Sequence, residues 1–387
     1  MKKISALLLA MLMLLSLVGC GNQQAGEEAP AEETLILDKF DQSIYMLPYW
    51  DGDTVYHESV MLLEEMDGSL PDVALLYQAK EIICVRSSDL KTVYEEGKDY
   101  QLVDGKLHIP EGSAIPTVKH SFYYPGEASD TAMKVNKNYG DGYIFFSEGD
   151  VMHSMQIAVT YTHDDAFPGE IPAYKGDQLP KTHAKLENGE NLNICVYGDS
   201  ISFGKNSTQV VSALPLASPW YQMFVDQLKT QYPDSVISLQ NPSVPGKLSD
   251  WGAEEAQINI GYGPDLCIIG FGMNDGSAKM PAEDFQANIL SIMDTALAAN
   301  PNCEFVLIST MMPNPEVGNF LGNQEEYLPV LLELEQEGVV VMDMTTYHKT
   351  LLESKRYFDI SGNNVNHPND FLARAYAHVL WQTVIGY

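Results

Sequence analysis

From Leu192 to the C-terminus the sequence keeps one rhythm: a short apolar run, a stretch of helical spacing, then another apolar run. Residues 193–197, 236–239, 266–271, 305–310 and 339–344 read as strands, and 220–231, 281–299 and 371–385 as helices. The run at 266–271 is apolar throughout, as suits a strand covered on both faces. Pro281 stands at the first turn of its helix, where a missing N–H costs nothing. Parallel strands need a crossover connection, usually a helix. The alternation therefore predicts an α/β domain over residues 185–387, with a parallel sheet and helices on both faces. In such a sheet ligands bind beyond the carboxyl ends of the strands.

Residues 37–180 keep another pattern. Short β-rich runs at 73–78, 81–85, 100–103, 107–109, 117–124, 142–146 and 155–161 are separated by Gly, Asp and Pro turns. Asp104-Gly105, between QLV and KLHI, is a hairpin signal. About seven short strands at this spacing predict an all-β sandwich, jelly-roll-like, ahead of the α/β domain. Pro168, Pro172 and Pro180 mark the boundary region.

The N-terminus reads as a targeting segment. Lys2 and Lys3 precede an apolar run over residues 4–18, short for a membrane span but suited to a signal sequence. Leu17-Val18-Gly19-Cys20 resembles the bacterial lipoprotein box. That resemblance implies removal of residues 1–19, lipidation of Cys20, and a protein anchored on the outer face of the cytoplasmic membrane. Residues 20–36, rich in Glu, Ala, Gln and Gly, read as an acidic flexible tether.

Acidic residues number 53 against 22 basic, a net charge of −31. Such a field repels phosphate backbones, so nucleic acid is excluded as a partner. Cys84, Cys195, Cys267 and Cys303 lie in or beside apolar runs and read as small buried hydrophobes rather than disulfide partners. No Cys or His spacing suggests a metal site.

The segments just past the strands of the C-terminal half carry the chemistry. After the first strand comes Gly198-Asp199-Ser200-Ile201, a Ser on a turn leading towards a helix, placed as a nucleophile or as a helix cap. After the second comes Gly246, whose backbone N–H can approach a ligand, or which is an ordinary loop glycine. After the third comes Gly272-Met273-Asn274-Asp275, an amide donor past a strand end, or a turn. His367-Pro368 stands in an Asn-rich loop before the last helix. Each feature alone has an ordinary structural explanation. Four in order, each at the active end of one sheet, do not.

These blocks resemble those of the SGNH (GDSL-type) hydrolases, over residues 192–387. The resemblance implies a flavodoxin-like three-layer fold, no metal, no cofactor, and acyl-ester hydrolysis. Carried over, Ser200 is the nucleophile and His367 its base. The N–H groups of Ser200 and Gly246 and the Asn274 amide form the oxyanion hole. The family pattern places an Asp three residues before the His; here that position is Asn364. Three readings are open: Asn364 orients His367 through its side chain or carbonyl, another acid such as Asp359 or Asp370 supplies the charge, or the enzyme is impaired. The first is favoured by analogy with dyad carbohydrate esterases.

The layout, a β-sandwich before an SGNH domain, resembles deacetylases of plant polysaccharides. It implies an exported esterase acting on acetylated oligo- or polysaccharides of xylan type. Trp251, near the Gly block, is a candidate sugar-stacking residue or a packed helix-start residue. The competing functions are a lipase or thioesterase of the same superfamily, and a non-catalytic glycan-binding lipoprotein.

Overall fold

The computed structural model describes residues 37–387. The signal segment, Cys20 and the acidic tether lie outside the described residues.

Thirteen strands occur among the described residues. The last five are β9 (Leu192–Gly198), β10 (Ile237–Gln240), β11 (Leu266–Gly270), β12 (Glu304–Ser309) and β13 (Val339–Asp343). They form one parallel sheet in the order β10-β9-β11-β12-β13. Alternate residues face opposite sides, as the two-residue period of a strand requires. Ile194, Val196, Ile268, Val306 and Met342 face the layer holding helices Trp220–Gln231 and Asp370–Val384. Cys195, Tyr197, Cys267, Ile269 and Leu307 face the layer holding Ser249–Asn259 and Ala282–Ala299. This is the three-layer α/β/α architecture expected, with both faces of the sheet covered. The four cysteines among the described residues are free, and three are buried.

The N-terminal half is antiparallel, as expected. Strands β1 (Thr54–Met61), β2 (Glu81–Ser87), β3 (Val93–Tyr94) and β8 (Gln156–Thr162) form a four-stranded sheet, order β1-β8-β2-β3. Two further pairs, β4 (Gln101–Val103) with β5 (Lys106–His108) and β6 (Ala132–Lys134) with β7 (Tyr143–Phe145), complete the set. The β4–β5 hairpin turns at Asp104 and Gly105, with φ 48° and 75°. Two central residues at positive φ suit the right-handed twist of the flanking strands.

Three details depart from the expected elements. Strand β1 carries no apolar alternation because His57, Glu58 and Ser59 are all buried in it. Residues 73–78 make only a single bridge, Val73 to Leu107. Side chains take their N–H groups: Glu58 accepts from Leu76, Tyr161 Oη from Tyr77 and Asp165 from Gln78. Residues 120–123, expected as strand, form one helical turn that buries Tyr123 against Phe358.

Residues 37–387 form one compact unit. The helix Asp370–Val384 shows why: every residue but Gln382 is buried. A helix on the outer layer of such a domain ordinarily keeps a polar face in water. Here the segment around Tyr45 and Tyr49 covers that face. Tyr49 Oη donates to Phe371 O at 2.7 Å, and His378 Nε2 meets Tyr45 O at 2.6 Å. The Arg374 guanidinium lies 4.5 Å from the Tyr45 ring centroid. The aromatic residues of this stretch are thus core.

Burial holds His57, His348 and His378 down at about 3, each by desolvation first. His348 Nδ1 accepts from the Met312 N–H at 3.2 Å, while Nε2 has no partner. An imidazole neutral in the fold but protonated in the unfolded chain below about pH 6.5 costs stability as pH falls. Stability is complete above that pH and is lost progressively down towards the folded value. His348→Asn keeps an acceptor for Met312 and removes the proton site. From pH 7 to pH 5, urea unfolding should show the wild type losing about 2 kcal/mol more than the variant.

Candidate active site

Ser200 comes directly after β9, where Gly198 and Asp199 carry the chain off the sheet. The chain does not enter a helix there. It runs through successive turns, and the next helix begins at Trp220. Phe203 N–H to Asp199 O, at 2.9 Å, and Lys205 N–H to Ser200 O, at 3.0 Å, close the turns around the serine. His367 comes from the loop before the last helix, 167 residues away in the chain. Its Nε2 stands 2.9 Å from Ser200 Oγ, within reach for proton transfer. Both residues are largely buried, Ser200 at 4% and His367 at 6% exposure.

The other ring nitrogen decides the tautomer. His367 Nδ1 is 2.7 Å from Asn206 Oδ1. The Asn206 amide has only one way round: its Nδ2 donates to Gly149 O at 3.0 Å and Gly362 O at 3.1 Å. Its oxygen must therefore face the imidazole. Nδ1 carries the proton and donates it, and the Nε2 lone pair is left for the serine hydroxyl. Asn206 has φ 67°, a left-handed conformation that Asn tolerates better than most residues. The loop 363–367 is held from within, because Asn363 Oδ1 accepts from the N–H groups of Val365, Asn366 and His367.

Asn364 does not orient the histidine. Its Oδ1 accepts from Tyr123 Oη at 3.0 Å, its Nδ2 donates to Phe145 O at 2.8 Å, and its backbone carbonyl accepts from Asn314. Both routes from Asn364 to His367 are thereby occupied. Asp359 is taken up by Arg356 and the Met61 N–H, and Asp370 by Thr208. The carboxylate that does approach is Glu148, from the loop after β7, whose Oε1 lies 3.4 Å from His367 Nδ1. Neither Asn206 nor Glu148 stands in a recognisable motif. The one sequence signal is weak: Asn206 comes shortly after Gly204 in a stretch too irregular for a helix.

The oxyanion donors gather on the same side of the sheet. Val244 N–H donates to Gly198 O at 3.1 Å, tying the Gly246 loop to the end of β9. Asn274 Nδ2 donates to Lys247 O at 2.9 Å, tying the third block to the same loop. Gly246 has φ 80° with open space where a Cβ would stand, so backbone strain alone calls for glycine. Beneath these loops lie two buried carboxyls. Asp275 accepts from Ser249 N–H and Gly272 N–H, which anchors the start of helix Ser249–Asn259 to the Asn274 turn. Asp199 accepts from Ile201 N–H at 2.9 Å. Burial pushes Asp199 up to about 7 and raises Asp275 as well.

Trp251 lies in that helix against Tyr197, with the Lys247 ammonium 5.2 Å from its ring centroid. Its ring is engaged in packing, the helix-start reading.

Residues 196–375 match the GDSL-like lipase/acylhydrolase family. This part of the chain is similar to GDSL-like hydrolase domains. Among solved structures the chain is similar to a two-domain esterase active on acetylated mannans, crystallised with mannopentaose. That likeness is 21% identity over 54% of each chain, with a TM-score of 0.44. It is also similar to a catalytic mutant of an acetylxylan esterase from Geobacillus stearothermophilus, at 15% identity, 51% of this chain, 95% of that one and a TM-score of 0.41. A third is a psychrotrophic esterase from Pseudoalteromonas sp., at 17% identity, 50% and 96% coverage and a TM-score of 0.36. The chain spans about half the length of the two-domain esterase it matches. No curated protein matches it.

The C-terminal domain thus holds its histidine by an amide from the nucleophile's own loop. Asn206→Ala should lower kcat about 10²-fold with KM little changed, because the reactive tautomer is no longer enforced. Asn364→Ala should instead act on stability, at about 1–3 kcal/mol for the buried partners it leaves unpaired. Steady-state kinetics and urea unfolding of the two variants separate these effects.

Proposed function

We propose that this protein is a serine carboxylic ester hydrolase that removes O-acetyl groups from oligo- or polysaccharides through an acyl-enzyme. The observation that carries the reading is the Ser200–His367–Asn206 chain, in which each contact has the direction hydrolysis needs. His367 Nε2 takes the Ser200 proton as Oγ bonds to the ester carbonyl carbon. The carbonyl electron pair moves onto oxygen, where the N–H groups of Ser200 and Gly246 and the Asn274 amide receive it. Neither backbone N–H donates elsewhere among the described residues. The C–O bond then breaks, and His367 returns the proton to the leaving sugar alkoxide. Water, activated by His367, releases acetate by the reverse sequence.

The substrate class is supported by the polarity around the reacting atoms. Asn206, Asn363 and Glu148 surround His367. Asn206 and Asn363 are spent on the protein's own groups, and the acceptor left for a hydroxyl-rich leaving group is Glu148, whose side chain is 40% exposed. For location, the lipoprotein box at residues 17–20 supports export and anchoring through Cys20 on the outer face of the cytoplasmic membrane.

Acetate release from acetylated xylan and acetylated mannan should occur with the wild type and disappear in Ser200→Ala. Small activated acetyl esters should be hydrolysed faster than octanoyl ones. Asn274→Ala should lower kcat about 10²–10³-fold, as loss of one oxyanion donor does elsewhere. Absence of Ser200-dependent turnover on polymer and on activated acetyl ester would shift the reading to glycan binding.

A further inference from the structure

Ser–His catalysis passes through an imidazolium, and a neutral amide does little for its charge. Asn206 fixes where the proton sits on Nδ1 but carries no charge to offset the one that forms when Nε2 takes the serine proton. Of the acids near this loop in sequence, Asp359 and Asp370 are engaged with Arg356 and Thr208. Glu148 faces the ring. Its Oε1 is 3.4 Å from His367 Nδ1, and Asn363 Nδ2 donates to the same oxygen at 3.1 Å. Asn363 Nδ2 lies 3.0 Å from Nδ1 but spends its hydrogens on Glu148 Oε1 and Asn366 Oδ1, so it holds the carboxylate in place beside the ring.

We infer that Glu148 is the charged partner of His367, a positioning residue supplied by the N-terminal β region that completes the hydrolytic machinery of the C-terminal domain. The inference rests on the esterase reading above. It replaces the missing Asp at position 364 with an acid from a part of the chain outside residues 192–387.

A second, independent contact from the same loop supports it. Gly149 O, the next carbonyl, accepts one of the two hydrogen bonds that set the Asn206 amide the right way round. The loop at 147–150 therefore governs both the tautomer and the charge at His367. The loop itself is held between β7 and the short helix Val151–Ser154, which packs on β8. Burial works to raise the Glu148 carboxyl. The facing His367 ring, the Asn363 amide and the Lys205 charge outweigh that and hold it below the usual carboxylate range. Glu148 is ionised wherever the enzyme works near neutral pH. Its side chain is 40% exposed, so solvent screens part of its effect.

The test compares wild type, Glu148→Gln, Glu148→Ala and Ser200→Ala of the full protein on a small activated acetyl ester between pH 5 and 9. Gln keeps the shape and the Asn363 contact but removes the charge. Glu148→Gln should lose about 10–100-fold in kcat, less than the ~10⁴ known for a fully buried triad acid, with KM within about twofold. The charged and titratable groups at this point are His367, Glu148 and Lys205. The acid limb of kcat/KM should move to lower pH in Glu148→Gln, because an imidazole without a facing carboxylate resists protonation further into acid. Formate at 100 mM or so, against chloride of equal ionic strength, should restore several-fold of the rate of Glu148→Ala. An active wild type with Glu148→Gln at wild-type kcat and an unmoved acid limb would overturn the inference alone. Loss of activity accompanied by a lower Tm, with no formate rescue, would also overturn it, as a merely structural role. A wild type without Ser200-dependent turnover would instead overturn the esterase reading beneath it.

Discussion

The fold depends on a buried ion pair that joins its two halves. Glu58, in β1, and Lys355, after the helix Met344–Ser354, are both fully buried. A lone buried charge is costly, so each must be saturated. Glu58 also accepts from the Leu76 N–H and from Tyr161 Oη, and Lys355 donates to Ser59 O. Removing one partner of such a pair ordinarily costs about 3–5 kcal/mol, because the other is left unpaired. The pair fits only one register of β1 against the C-terminal half. It sits beside the contacts of Tyr45 and Tyr49 with the last helix. Together these make the antiparallel region part of the same body as the parallel sheet, and they place the loop at 147–150 against His367.

The site uses buried polar groups in two ways. At the surface of the sheet, Asn206, Asn363 and His367 form a network in which nearly every donor has an acceptor. Satisfied networks of this kind rigidify, because each group has a single low-energy arrangement. Beneath it, Asp275 and Asp199 accept backbone N–H groups at the ends of β9 and β11. Their role is to hold the loops bearing Ser200 and Asn274, and burial raises both carboxyls. The Asp of each of the two sequence blocks is thus structural, while its neighbour faces the chemistry.

Much of the C-terminal half was legible because parallel strands covered on both faces are apolar along their whole length. The five strands of the sheet and the helices at 220–231, 281–299 and 371–385 lie within a residue or two of where periodicity puts them. Strand β1 was not legible, since three consecutive polar residues lie buried in it, and their burial depends on partners up to about 300 residues away. The helix Ser249–Asn259 was hidden by its Ser-Asp-Trp-Gly start, which reads as loop until Asp275 is seen accepting from Ser249. Residues 73–78 misled in the other direction: their composition suits a strand, but side chains took the backbone donors.

By itself the sequence determined the parallel sheet, the ends of its strands, and the order Ser200, Gly246, Asn274, His367, because each of these is a local pattern repeated along one chain segment. It also established that the usual acid before the histidine is absent. Only the tertiary structure decided what meets His367 Nδ1. That choice rests on an asparagine in an irregular loop, held the right way round by carbonyls from residues 149 and 362, and on a glutamate from the other half of the chain. Hydrogen-bond direction between side chains 161 residues apart leaves no periodic trace, so it becomes visible only once the halves are packed together.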